Sequence, residues 1–136
     1  MKKRQQIEQS FQKQGLMQHL EAELVEIENG RVVIQCPLSE KVTQQQGFFH
    51  AGAITSIVDS ACGYAALSTM PDGSEVLSVE FKVNLLRPAT GPLIRATGRV
   101  LKAGRTLTVC EGEVHDANGK LVTKMIATMI GVPKKE

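Results

Sequence analysis

Aromatic residues and net charge are both scarce in this chain of 136 residues. Only 4% of the residues are aromatic and none is Trp, so the hydrophobic 42% must build a core from small aliphatic side chains. A formal net charge of +2 is too weak to indicate a nucleic-acid partner. The length fits one domain of ordinary size, without repeats or low-complexity tracts.

Cysteine is sparse as well, with Cys36, Cys62 and Cys110 far apart and no CxxC pair. An odd number of separated cysteines predicts neither a closed disulfide set nor a metal site, and favours a reducing, cytoplasmic compartment. The basic start, Met1 to Arg4, could open a signal peptide, but glutamines follow where an apolar region is required. We therefore expect no export.

One long apolar stretch is present, FFHAGAITSIVDSACGYAALSTM over residues 48–70, and its only carboxylate is Asp59. Its length would suit a membrane span. The central acid, the Gly and Ser content and the lack of flanking basic or aromatic belts favour a buried helix instead, from about Ala51 to Thr69 and enclosed on all sides. A buried acid costs several kcal/mol unless it is partnered or functional. The nearby helix start offers unpaired N–H groups that suit an oxyanion, so the stretch indicates an acyl-transfer site.

The segments before this helix predict a short helix and a hairpin. Residues 3–15 favour a polar helix that docks through Ile7 and Phe11 and stops at Gly15. Asn29-Gly30 between two strand-like runs is a strong hairpin signal. The predicted strands of this hairpin cover residues 19–27 and 31–37, and the polar residues 38–47 form a loop.

The segments after the helix alternate apolar and polar residues, as half-buried strands do. A turn at residues 71–73 separates them from the helix. The predicted strands are residues 77–85, 93–102, 105–115 and 120–132. Because short turns join them, an antiparallel meander is expected, giving the order β-β-α-β-β-β-β.

Two motifs make the sequence similar to a known family: QQQGFFHAGAITSIVDSACG over residues 44–63 and SVEFKVNLLRPA over residues 78–89. With the Gly104-Arg105 turn before two long strands, they resemble the hotdog-fold acyl-CoA thioesterases, in the phenylacetate-degradation (PaaI-type) branch. The branch usually has His-Gly-Gly where this chain has His50-Ala51-Gly52, and many relatives have Asn where Gln44 stands. Ala51 still supplies the backbone N–H, and Gln44 keeps the amide chemistry.

The resemblance implies an α+β fold, with a curved antiparallel sheet of about six strands wrapped round one long central helix, plus a short N-terminal helix. Residues 1–17 would form the N-terminal helical segment and residues 18–133 a single hotdog domain. The implied activity is hydrolysis of an acyl-CoA to the free acid and coenzyme A, which enters as part of the substrate. No other cofactor, metal, nucleic acid or membrane is expected.

The resemblance also implies catalytic residues, each with a simpler structural alternative. Asp59 would act as general base or as nucleophile, and otherwise is a structural acid. The N–H of Ala51 would bind the oxyanion, with Gln44 steadying that region or the water. His50 would orient the loop or only cap the helix. Ser78 would help to place water, or else is a solvated strand residue.

Six further residues are expected to bind substrate. They include small residues and apolar residues for the acyl chain and arginines for the phosphates of coenzyme A: Gly52, Phe48, Gly63, Ile54, Arg87 and Arg105. Ile57 and Val58 are further expected tunnel residues, and Lys102 is a further expected phosphate ligand.

Family members place the acid of one subunit against the amide cradle of its neighbour, which implies a homodimer with shared active sites, or a tetramer of two such dimers. Two other functions stay open from the sequence. One is a binding module that holds acyl-CoA without hydrolysis. The other is a hotdog dehydratase or hydratase, which usually has a Pro-containing loop after its His, whereas Ala51-Gly52-Ala53 follows His50 here.

Overall fold

The computed structural model of the protein describes residues 2–134. Its helices are α1 (Lys2–Gln12), α2 (Gly15–Leu20) and α3 (Ala51–Leu67), with a short 3₁₀ turn at Glu40–Val42. Its strands are β1 (Glu23–Glu28), β2 (Arg31–Pro37), β3 (Ser74–Leu85), β4 (Leu93–Ala103), β5 (Leu107–Asp116) and β6 (Leu121–Pro133). None of the helices in residues 2–134 combines the length and the apolar character needed to cross a membrane.

The six strands form one antiparallel sheet in the order β1-β2-β4-β5-β6-β3. The predicted meander is correct for β4, β5 and β6, but β3 pairs with β6 and not with β4, with Phe81 opposite Ala127. The alternation of apolar and polar residues shows which face of a strand is apolar, but it does not show which other strand pairs with it. The expectation of a continuous meander was therefore wrong at β3, which becomes an edge strand.

Helix α3 lies across one face of this sheet and packs on β2 to β6. Gly98 on β4 allows the close approach, because a Cβ there would lie 2.5 Å from the backbone nitrogen of Cys62. Full enclosure of the helix, however, was wrong. The elements within residues 2–134 leave its start uncovered, so Ala51 and Gly52 are exposed, and Asp59 beside β3 is only half-buried.

The N-terminal segment begins as predicted, with Ile7 and Phe11 of α1 buried in the core. Gly15 does not end the segment but starts α2, which buries Met17 and Leu20. Strand β1 consequently begins at Glu23 and not at residue 19. Two buried apolar residues three apart match a helical turn, and this signal is easily mistaken for the start of a strand.

The Asn29-Gly30 hairpin forms as predicted, with Gly30 at a positive φ of 79°. The three cysteines are free and buried. Overall, the architecture is the predicted α+β arrangement of a six-stranded antiparallel sheet with a long central helix and a short N-terminal helix.

Candidate active site

The carboxylate of Asp59 faces strand β3, where Ser78 is its hydrogen-bond partner. Ser78 Oγ donates to Asp59 Oδ1 at 2.7 Å and lies 3.3 Å from Sδ of Met129. The ladder between β3 and β6 is irregular between Ser78 and Glu80, as in a β-bulge, and bulges often re-aim side chains. Ser78 therefore holds one carboxylate oxygen and leaves the other, Oδ2, without a partner within the described chain.

Two opposing effects act on this carboxylate. Burial raises the pKa of Asp59 above its ordinary value, and the hydrogen bond from Ser78 lowers it by a smaller amount. Partial removal from water disfavours the charged form, while a donor favours it. Asp59 is therefore a stronger base than an ordinary surface aspartate, and its free oxygen can take a proton from water or attack a carbonyl carbon.

A second group of predicted residues gathers at the start of α3. Gln44 Oε1 accepts from the backbone N–H groups of Gln46 at 2.6 Å and Phe48 at 3.2 Å. Gln44 Nε2 donates to the side chain of Gln46 at 3.1 Å. Because the oxygen is held by two backbone donors, the amide orientation is fixed. A primary amide has two N–H groups, so one donor of Gln44 stays available.

His50 is the N-cap residue of α3, and its Nδ1 accepts from the N–H of Gly52 at 2.7 Å. An accepting Nδ1 requires the neutral ring with its proton on Nε2. The cap satisfies one of the first N–H groups of the helix, but the N–H of Ala51 finds no acceptor among residues 2–134. Ala51 is exposed, so this N–H is open to a ligand at the positive end of the helix dipole.

The residues around Ala51 line a pocket of about 510 Å³. Six of the predicted site residues contribute to it: Gln44, Phe48, His50, Ala51, Ile54 and Arg87. Asp59, Ser78 and Gly63 line a different pocket, of about 210 Å³. A single chain therefore divides the predicted site into two parts.

The distance between the two parts follows from helix geometry. Ala51 and Asp59 are eight residues apart on α3, which corresponds to about 12 Å along the helix axis. An oxyanion donor and a carboxylate acting on one carbonyl must both lie within about 3 Å of the reacting atoms. Asp59 and Ala51 of the same chain cannot meet this condition.

The remaining predicted residues lie elsewhere. Arg105 lines a third pocket, of about 420 Å³, near the turn at residues 71–73 after α3. Lys102 is exposed on β4. The expected tunnel residues Ile57 and Val58 are fully buried in the core, because they point from α3 into the sheet. Within residues 2–134, no three His, Cys, Asp or Glu side chains are grouped so that they could hold a metal ion.

Four polar residues near Asp59 were missed by the sequence interpretation: Ser10, Gln14, Ser60 and Tyr64 all line its pocket. Tyr64 is the only tyrosine of the chain and stands five residues after Asp59 on α3, so the sequence alone could have indicated it. Ser10 and Gln14 arrive from the N-terminal segment, about 50 residues away, and local sequence carries no signal for that contact.

Comparisons with known proteins show the family of the chain. The model of the Thioesterase superfamily matches residues 46–123. The solved structure of a thioesterase family protein from Silicibacter pomeroyi is 40% identical, with a TM-score of 0.92 over 96% of this chain and 98% of that one. The 1,4-dihydroxy-2-naphthoyl-CoA hydrolase of Listeria monocytogenes is 29% identical, over 89% of this chain and 98% of the relative.

The fold extends to more distant structures. The PaaI protein from the phenylacetic acid degradation operon of E. coli is 18% identical, with a TM-score of 0.89 over 98% of this chain and 96% of that one. At this identity the likeness concerns the fold alone. The chain belongs to the thioesterase superfamily and has its hotdog fold. It is a thioester hydrolase.

Proposed function

We propose that the protein is an acyl-CoA thioesterase whose active site forms between two copies of the chain. The observation that carries this proposal is the half-buried carboxylate of Asp59, fixed by Ser78 at 2.7 Å, about 12 Å along α3 from the open N–H of Ala51. The Listeria monocytogenes relative is a hydrolase of an acyl-CoA, which supports the same substrate class here.

Strand β3 supports the two-chain site. It is a twelve-residue edge strand with large exposed apolar side chains. Their exposed fractions are 57% for Leu77, 54% for Val79, 44% for Phe81 and 51% for Leu85. A long apolar edge is a template for pairing with another strand, and proteins rarely leave it open. Two-fold pairing of β3 with its copy would bring a second chain beside Ser78 and Asp59.

In the proposed reaction, the thioester carbonyl oxygen accepts from the N–H of Ala51 of one copy. Asp59 of the other copy takes a proton from the attacking water, or itself attacks the carbonyl carbon to form a mixed anhydride that water opens. The C–S bond breaks, the acyl group becomes the free acid, and the sulfur of coenzyme A takes its proton from Asp59 in the first route or from water in the second. Gln44 holds the loop before the helix, and Arg87 in the same pocket suits a phosphate of coenzyme A.

The backbone donor can be removed without disturbing the helix. Proline is favoured at the first helical position and lacks an N–H, and His50 already has the extended conformation (φ −66°, ψ 136°) that proline requires before it. We expect Ala51→Pro to lower kcat by about 10²–10³-fold, the loss of one oxyanion donor. Ala51→Gly changes the side chain at the same position but keeps the N–H, so it is the control for loss of the donor.

Complementation tests the shared site directly. Thiol release is followed across a panel of acyl-CoAs for wild type, Ala51→Pro, Asp59→Asn and an equal mixture of the two variants after exchange of subunits. In a mixed dimer, one site carries both substitutions and the other carries none. Statistical mixing therefore restores about a quarter of wild-type activity. No recovery in confirmed mixed dimers would contradict the shared site, and no thiol release by wild type would favour the acyl-CoA-binding module.

A tetramer of such dimers and a cytoplasmic location stay predictions. The oligomer is measured by analytical ultracentrifugation at the concentration of the activity assay, and a wild-type monomer that is fully active would contradict the mechanism. The dehydratase alternative is tested by water addition to an enoyl-CoA under the same conditions.

A further inference from the structure

The hydroxyl of Ser78 has two acceptors within reach and only one hydrogen. Its Oγ lies 2.7 Å from Asp59 Oδ1 and 3.3 Å from Sδ of Met129. The thioether sulfur of methionine is a weak acceptor, and a hydroxyl has a single hydrogen to donate. The carboxylate and the sulfur therefore compete for the same hydrogen, and Ser78 can turn away from Asp59 without losing its own hydrogen bond.

The position of Met129 is fixed by the fold. Met129 lies on β6 directly opposite Ser78 in the ladder with β3. Side chains of directly opposite residues in an antiparallel pair share one face of the sheet, so the thioether stays beside the hydroxyl. Met129 is also fully buried, with none of its surface exposed. The sulfur is consequently a permanent neighbour of the Ser78 hydroxyl.

The charge of Asp59 decides which acceptor wins. An ionised carboxylate accepts a stronger hydrogen bond than a neutral group, so it takes the hydrogen of Ser78 from the sulfur. Asp59 becomes neutral in either route of the proposed reaction, through a proton from water or through the acyl group of the anhydride. Its Oδ1 is then a weaker acceptor. Once a second copy covers β3, a hydroxyl hydrogen without a good acceptor is costly, and the sulfur of Met129 provides one.

We propose that Met129 is a positioning residue for the hydrolysis: its sulfur accepts the hydrogen of Ser78 when Asp59 becomes neutral and gives it up when the carboxylate forms again. This inference rests on the proposed function, because that reaction is what changes the charge of Asp59. The proton that Asp59 gains is the one that water loses, and Ser78 keeps its own hydrogen throughout. Met129 thereby stabilises the neutral form of Asp59.

Few other groups can titrate beside Asp59. Among the described residues, the N-terminal segment, β3 and β6 bring no charged side chain to its pocket, and the only other titratable side chain there is Tyr64. The thiol of Cys62 is fully buried on α3, and burial raises its pKa, so it stays neutral. The second copy would add His50 and Arg87 from the pocket of Ala51. These groups are the same in every variant below, so they do not cause differences between variants.

A double-mutant cycle on the pKa of Asp59 tests the proposal. The pKa is read from the NMR signal of the carboxyl carbon, which needs no turnover and is assigned by its loss in Asp59→Asn. Met129→Leu removes the sulfur and nearly conserves volume. We expect it to lower the pKa of Asp59 by about 0.4–0.7 pH units, the effect of one weak hydrogen bond to the neutral form, and to move the acid limb of kcat/KM equally. In the Ser78→Ala background the same replacement should have no such effect, because no hydroxyl hydrogen remains.

The matched control is Met125→Leu, since Met125 is also fully buried on β6 but does not line the pocket. It should leave the pKa of Asp59 unchanged. The inference is overturned if Met129→Leu does not lower that pKa, or if the change is equal with and without the Ser78 hydroxyl, since the sulfur would then act only through packing. Normal thiol release in those cases would leave the proposed function standing. A coupled pKa shift without thiol release from any acyl-CoA would refute the hydrolysis and support the link between Met129 and Asp59.

Discussion

Replacement of Gly98 by alanine tests the packing on which the position of Asp59 depends. A Cβ at residue 98 would touch the carbonyl of Ala61 and lie 2.5 Å from the nitrogen of Cys62. Carbon atoms in contact prefer about 3.5–4.0 Å, so α3 must move from the sheet by about 1 Å. The obstacle is helix backbone, which has no rotamer by which it could move aside.

The expected loss follows from that displacement. Overpacking costs about 1–3 kcal/mol, and the upper end applies where backbone must shift. Alanine regains about 0.5–1 kcal/mol in a strand because it loses less conformational freedom than glycine. We therefore expect Gly98→Ala to lower the free energy of unfolding by about 2 kcal/mol, or Tm by about 6–10 °C for a chain of this length. A helix misplaced by 1 Å should also lower kcat by about 10²-fold.

The assay is urea unfolding followed by circular dichroism, at one protein concentration because a dimer makes stability concentration-dependent. Gly131→Ala is the matched control. It is also on a strand, but its Cβ would meet only the flexible end of Met70, at 3.0 Å from Sδ. Its cost should stay below about 1 kcal/mol. Wild-type stability of Gly98→Ala, or an equal loss in both variants, would refute the packing argument.

Three further predictions concern charged groups. Because burial raises the pKa of Asp59, kcat/KM should fall on the acid side at a higher pH than an ordinary aspartate would give, and a fall at the ordinary value would contradict its role as base. The raised pKa also means that ionisation of Asp59 lowers the free energy of unfolding as the pH rises. Asp59→Asn should therefore be more stable than wild type in urea at pH 7. The difference should vanish at acid pH, where the carboxyl of Asp59 is protonated in both the folded and the unfolded chain. Lys124 forms ion pairs with Glu111 at 2.8 Å and with Glu113 at 3.0 Å, and it lowers the pKa of Glu113. This pairing stabilises the fold at pH values above the pKa of Glu113 in the unfolded chain. The stabilisation is lost as the pH falls through the lowered pKa of Glu113 in the folded chain. Since these side chains are about 30% exposed, Lys124→Met should cost less than about 1 kcal/mol in urea unfolding, and a cost that 1 M salt leaves unchanged would contradict an ionic origin.

The parts of the fold that the sequence predicted are those with local causes. The Asn29-Gly30 turn selects a hairpin through the positive φ that glycine accepts. The central helix was found because residues 51–67 are small or apolar almost throughout, with Asp59 as the only carboxylate. Asp59 was recognised as a candidate because an isolated acid in such a run is costly.

The errors have non-local causes. Alternation in residues 77–85 indicated a strand, but the partner of that strand is β6, about 45 residues further along the chain. Full enclosure of α3 failed for a related reason: hydrophobicity predicts that a face is covered and does not say by which element or by which copy of the chain. The start of the first strand was also placed too early, because helix α2 lies before β1.

The sequence by itself determined the hairpin, the central helix, the candidate acid Asp59 and the family resemblance, because turn chemistry, hydrophobic patterning and an isolated charge act over a few residues. Only the tertiary structure decided that Ser78 holds Asp59 and that Gln14 reaches Tyr64. These are contacts between distant segments, and they arise when one sheet packs around one helix. Their geometry depends on backbone approach at Gly98 and on the pairing of β3 with β6, which no local pattern encodes.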